Sequence, residues 1–195
     1  MLQHTILVCL FLSLLGMHGQ TALADEVTDS IHEAAKLYKE GNRAEAVSSL
    51  EYAAQLIRQQ RGGSLEDLLP APLPGWKAEE ATSQAMGMFG GGVSADRNYT
   101  KGQSHISISL ITDSPMLQGV MMMLANPMLA SSDGGKLKKI KGKKAMVKYN
   151  SADSQGEVQM VINQSVWIHL EGRDVSEEDM LAYMETLDFD ILESF

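Results

Sequence analysis

The chain has 195 residues, 44% of them hydrophobic, and a formal net charge of −9. That length suffices for a sizeable core, since a chain of about 150 residues buries roughly 70% of its unfolded surface. The acidic balance excludes general nucleic-acid binding, which needs a net basic footprint, and the single cysteine, Cys9, excludes a disulfide framework.

In chain order, an apolar run from Ile6 to Leu15 comes first, followed by Ala22-Leu23-Ala24 and then Asp25. Small residues at that spacing behind a short apolar run predict a secretory signal peptide over 1–24, cut between Ala24 and Asp25. The run is too short for an anchor, because a span needs about 20 apolar residues. The expectation is a periplasmic or secreted protein with no transmembrane segment once the signal is removed. The mature chain then lacks cysteine altogether, so its core alone must hold it together.

A helical hairpin is predicted over 25–63. Ser30-Ile31-His32-Glu33 reads as a capping box, with Ile31, Ala34, Ala35 and Tyr38 at helical spacing behind it. Gly41 supplies a left-handed stop, Asn42 caps the second helix, and Gly62-Gly63 ends it. The stretch "LYKEGNRAEAVSSLEYAAQL" (37–56) resembles one tetratricopeptide-like unit through Leu37, Tyr38, Gly41, Ala46, Leu50 and Ala53. A single such unit cannot bury its own apolar face. It must pack on the following domain, on a second copy in a homodimer, or on a partner.

Residues 64–75 form a proline-rich linker, with Pro70, Pro72 and Pro74 favouring extended backbone. Trp76 is expected to anchor the next domain, 76–195. There the periodicity changes to strands: Val93–Thr100 with His105–Ile111, Lys138–Ile140 with Lys143–Tyr149 about a Lys141-Gly142 turn, and Glu157–Asn163 with Val166–Glu171. Two helices interrupt them, one from Ser114-Pro115 to about Ala125 and one after Ser176. Adjacent hairpins with inserted helices predict an α+β domain on an antiparallel β-sheet.

The segments "LPGWKAEE" (73–80), "VSADRNYTKGQSHISISLITDSP" (93–115), the Lys-Gly hairpin and "EGRDVSEEDMLAYMETLDFDIL" (171–192) resemble the PsbP/Mog-like superfamily in order and layout. That superfamily includes an extrinsic subunit of photosystem II, a Ran-binding protein and exported bacterial proteins. The resemblance implies an α/β/α sandwich that acts by binding and not by catalysis, and it supplies no site residues.

Three stretches invite chemistry. "MLQGVMMMLANPML" (116–129) holds five methionines. On a helix their sulfurs spread around the axis, which suits deformable packing or an interface at Met121, Met122 and Met123 better than one soft metal ion. "GMFGGGVSAD" (87–96) is glycine-rich but matches neither phosphate-binding pattern, since a strand follows where a helix should start. Alternation places His105, Ser107 and Ser109 on one face of their strand, and Trp167, His169 and Glu171 on one face of theirs. If those strands are neighbours, His105, His169 and Glu171 would approach zinc or copper ligation; two unlinked histidines otherwise predict no metal.

Lys136, Lys138, Lys139, Lys141, Lys143, Lys144 and Lys148 concentrate positive charge in thirteen residues, while Glu171 to Phe195 carries nine acids against one Arg. The lysines read either as a guarded sheet edge or as a docking surface for an anionic partner, with Lys138, Lys139, Lys141, Lys143 and Lys144 as contacts. Attraction to the chain's own acidic C-terminus is a third account. The sequence as a whole predicts a non-enzymatic exported accessory protein. It would bind another cell-envelope protein through the hairpin, the Met-rich helix or the lysine hairpin, without a cofactor. The rival expectation is a periplasmic carrier of a small hydrophobic ligand or soft metal ion.

Overall fold

The computed structural model describes residues 19–86, 92–126, 128, 131 and 134–195, with side chains from Asp25 onward. The apolar run of the expected signal peptide and the glycine-rich stretch 87–91 lie outside the described residues. The chain divides into two compact units, Met1–Ile57 and Arg58–Phe195. Among the described residues the fold is mixed α+β, with five helices, the first two a helical pair, and one eight-stranded antiparallel sheet.

Helix α1 spans Gly19–Glu40 and α2 spans Arg43–Glu66. The turn between them follows from Gly41, whose φ of +90° has no steric cost for glycine. The Asn42 amide donates to Leu37 O at 2.9 Å and the Gly41 amide to Tyr38 O at 3.2 Å, which satisfies two carbonyls orphaned at the helix end. Ala34, Ala46 and Ala53 are buried in this unit, and the Tyr52 hydroxyl donates to Glu26 Oε1 at 2.5 Å.

Two helix boundaries differ from the sequence expectation. Ser30 is not a cap: it lies within α1, and its hydroxyl donates back to Glu26 O at 2.9 Å. Residues 20–29 contain neither glycine nor proline, so the helix begins well before the capping pattern; the expected Ala24–Asp25 junction therefore falls inside α1. Nor does Gly62-Gly63 end α2, which continues to Glu66. Gly62 faces Ser83 so closely that a Cβ there would sit 2.6 Å from Ser83 Oγ. Glycine is present for that approach, not for a turn.

In the second unit the strands are β1 (Lys77–Ala78), β2 (Thr82–Ala85), β3 (Val93–Lys101), β4 (Ser104–Thr112), β5 (Lys136–Ile140), β6 (Lys143–Asn150), β7 (Gln155–Ile162) and β8 (Val166–Arg173). Their order is β1-β3-β4-β8-β7-β6-β5, with β2 also paired to β3. Helix α3 (Leu117–Ala125) follows β4, and α4 (Glu177–Thr186) and α5 (Phe189–Glu193) follow β8. Chain-adjacent strands close by tight turns. Lys141 and Gly142 both adopt positive φ, the backbone that matches the right-handed twist of a two-residue hairpin, and Asn163 and Gln164 do so in the three-residue turn between β7 and β8.

Alternation decides which element covers which face. Tyr99, Ile106, Ile108, Leu110, Val158, Met160, Ile168 and Leu170 form the larger core with Met180, Tyr183 and Met184 of α4. Trp76 is buried here as expected, edge-on to Tyr183 at 5.3 Å between centroids. The proline segment is fastened to the same core: Leu69 is buried, Tyr99 donates to Pro70 O at 2.7 Å, and the Leu73 amide donates to the Tyr183 hydroxyl at 3.3 Å. Side chains of the other parity, Ile111, Met146 and Trp167, form a second cluster with Leu117, Val120 and Leu124 of α3. That helix covers only one end of its face. The rest of the face is open and polar.

Candidate functional site

The open end of the α3 face is built from three cross-strand rows. Asp96, Ser109, His169 and Gln159 stand side by side in β3, β4, β8 and β7, as do Asn98, Ser107, Glu171 and Glu157 in the next row. Thr100, His105, Arg173 and Gln155 make the third. His169 sits at the border with the apolar end, its ring stacked on Trp167 at 5.6 Å and 22°. Its Nε2 is buried without a hydrogen-bond partner among the described residues; Glu157 Oε2 is 3.6 Å away and Glu171 Oε1 3.8 Å. Those separations are too long for hydrogen bonds.

Sequence alternation placed His105 and His169 on this face, and the register agrees. It does not bring them together. His105 pairs with Arg173, whereas His169 pairs with Ser109, four residues along β4, a separation of roughly 13 Å at about 3.4 Å per residue. His105 Nδ1 lies 2.7 Å from Gln103 O. Glu157, which the sequence reading did not single out, takes the place expected for His105. Among the described residues no three His, Cys, Asp or Glu side chains form a metal-holding group. Ser109 is the direct neighbour of His169, yet its hydroxyl donates to Asp96 Oδ1 at 2.5 Å, and Ser94 donates to the other oxygen at 3.1 Å. Asp96 therefore claims the hydroxyl that a nucleophile–base pair would need.

Two concavities open beside this cluster. One, of about 350 Å³, is lined by Lys148, Asp153, Glu157, Glu171 and Arg173. The other, of about 670 Å³, is lined by Glu79, Asn98, His105, Glu171 and Arg173. Both carry mixed charge, which suits a polar ligand but selects no reaction.

The lysine hairpin β5–β6 divides by face. On the side of the larger core its lysines are used internally: Lys138 pairs with Glu177 at 2.7 Å and Lys143 with Glu193. At the turn, Lys141 Nζ donates to Leu187 O at 2.9 Å and lies 5.3 Å from the Phe189 ring. Two acids of the C-terminal stretch, Glu177 and Glu193, thus pair with two lysines of the charge run. On the α3 side, Lys139 and Lys144 are direct cross-strand neighbours. Both are exposed, and neither has an ion pair among the described residues.

The methionines of α3 diverge as helical spacing required. Met121 and Met123 are partly buried against the second cluster, Met122 points outward with 66% of its surface exposed, and Met116 is exposed at the helix start. The exposed apolar side chains of the first unit are more numerous: Ile31 and Tyr38 on α1, and Val47, Leu50, Tyr52 and Ile57 on α2. No helix among the described residues is long and apolar enough to cross a membrane.

Burial holds two tyrosines of the second unit in their neutral form. The Tyr99 hydroxyl is raised well above its ordinary value, first by burial, with the nearby Arg97 charge opposing. Tyr183 is raised by burial too, opposed by the amide of Leu73 that donates to it.

No family model matches the chain, no curated protein matches it, and no solved structure matches its fold.

Proposed function

We propose that this is a non-enzymatic accessory protein that binds another protein through the outer face of its helical pair. One observation carries the reading. Val47, Leu50 and Ile57 recur on α2, and Ile31 and Tyr38 on α1, at helical spacing, and all are exposed. Among the described residues the buried positions of that unit are Ser30, Ala34, Ala46, Ala53 and Leu56, of which only Leu56 is a large apolar side chain. Most of the large apolar side chains are thus on the outside, opposite to what a self-sufficient helical pair would do. A partner with a complementary apolar groove would bury them at roughly 25 cal/mol per Å².

The same reading takes the protein as exported, with a signal peptide over 1–24 and Asp25 as the first mature residue. It takes the second unit as an α/β/α layer arrangement of the PsbP/Mog-like kind. Support for the layers comes from α4 and α3 meeting side chains of opposite parity. The partner is an envelope protein in this reading.

The test is affinity capture from the native envelope with wild-type protein and with Val47→Glu/Leu50→Glu. The expected result is a reproducible partner for wild type that is lost in the variant, at an unchanged melting temperature. Capture that the variant retains, or no specific partner in repeated experiments, overturns the proposal.

A further inference from the structure

We infer that the second unit carries a binding site for a single-chain anionic amphiphile, an alkyl carboxylate or alkyl phosphate, between α3 and the lysine hairpin. The inference does not rest on the helical-pair reading, since it uses residues of the second unit alone.

Register supplies the charged end. Lys139 stands directly opposite Lys144. Like charges so placed repel and cost stability, by about 0.2–1 kcal/mol for a cross-strand pair. Lys138 and Lys143, each next along the chain, are matched to Glu177 and Glu193, whereas Lys139 and Lys144 have no counter-charge among the described residues. Parity fixes their direction: Lys139 is two residues from Leu137, and Lys144 two from Met146, and both of those pack in the cluster beneath α3. The unpaired charges therefore lie on the face that α3 partly covers.

The apolar end lies beside them. A groove of about 350 Å³, within the range of small-molecule sites, runs from Lys144 along Met121, Leu124 and Val161, with Gln164 at its rim. Methionine and leucine lining accommodates an alkyl chain without demanding one shape, and Gln164 brings a side-chain amide with donors to spare for a head group. One anion on the lysine pair removes the repulsion while its chain covers the groove. The net charge of −9 disfavours the alternative occupant, a whole anionic bilayer, because the acidic remainder of the chain would be repelled by it.

The experiment uses the full chain with methyl-labelled methionine, titrated with decanoate below its micelle concentration and followed by the Met121 methyl signal. A saturable shift is expected, weakened at least tenfold in Lys139→Gln/Lys144→Gln. Both positions are exposed, so the variant is expected to melt at or slightly above the wild-type temperature. Acetate at equal concentration is expected to leave Met121 unmoved. No saturable shift, an equal response to acetate, or unchanged affinity in the double variant overturns the site. Association with phosphatidylglycerol vesicles that decanoate does not compete away also overturns it, by assigning the lysines to a bilayer surface.

Discussion

The hydroxyl of Tyr99 donates to the carbonyl of Pro70 at 2.7 Å, inside a core where Tyr99 itself is fully buried. Arg97 Nη1 reaches the same carbonyl at 3.3 Å. A proline-rich segment that would otherwise run as extended, unpaired backbone is thereby tied to strand β3, and its Leu69 closes one side of the core. The tyrosine ring also rests against Tyr183, 4.6 Å between centroids, so one residue joins the proline segment, the sheet and α4.

Removing that hydroxyl has two separable effects. In Tyr99→Phe the Pro70 carbonyl keeps Arg97, so the loss falls near the low end of the cost of a buried unsatisfied group, about 1 kcal/mol. The second effect appears at high pH. Burial raises the folded-state ionisation of Tyr99 above its ordinary 10.0. Above that value the unfolded chain gives up a proton that the folded chain keeps. The unfolded state then binds fewer protons, and stability falls as pH rises, with no effect below it. Tyr183 adds to the slope in the same direction. Denaturant melts between pH 8 and pH 11 should show wild type losing stability above pH 10, and Tyr99→Phe losing less. Parallel slopes would remove Tyr99 as the cause.

Much of the second unit was legible because period-two alternation is a strong local signal. Ile106, Ile108 and Leu110 against His105, Ser107 and Ser109 gave the faces of β4, and Ser176 caps α4 through the Asp179 amide at 3.0 Å as its position implied. Strand order was not legible, because it depends on which edges meet after collapse. β8 lies between β4 and β7, so His169 meets Glu157 of one neighbour and Ser109 of the other. The short strands β1 and β2 were missed because polar segments of two and four residues carry no periodicity; only pairing with β3 makes them strands. Helix α5 was missed for a similar reason. Its signal is one cap, Asp188, accepting from the Asp190 and Ile191 amides.

Glu157 and Glu171 face each other directly across β7 and β8 on the open polar face. No hydrogen bond at the buried His169 Nε2 offsets their repulsion among the described residues. Like charges directly opposite on a sheet cost about 0.2–1 kcal/mol. Glu157→Gln is therefore expected to raise the melting temperature at pH 8 by a degree or more. An unchanged or lowered melting temperature, measured by calorimetry, would show that the two carboxylates do not repel across the strands.

Gly62 and Gly63 are neighbours on α2 with opposite requirements. Helix propensity alone favours alanine over glycine by about 0.8–1 kcal/mol at either position. At Gly63 a Cβ meets nothing within 4 Å, so Gly63→Ala should stabilise by about that amount. At Gly62 the same atom would stand 2.6 Å from Ser83 Oγ, 2.9 Å from Ser83 Cβ and 3.3 Å from Val93 Cγ1. Ser83 belongs to β2, held by its register with Ala95, so relief requires the helix or the strand to shift, and overpacking of that kind costs about 1–3 kcal/mol. The clash outweighs the propensity gain, and Gly62→Ala should destabilise. Urea melts of the two single variants decide the matter: a stabilised Gly62→Ala would mean that Gly62 is a tolerated weak point in the helix and not a close contact with β2. Ser83→Gly made together with Gly62→Ala should recover part of the loss, because it removes the atoms that the new Cβ strikes nearest.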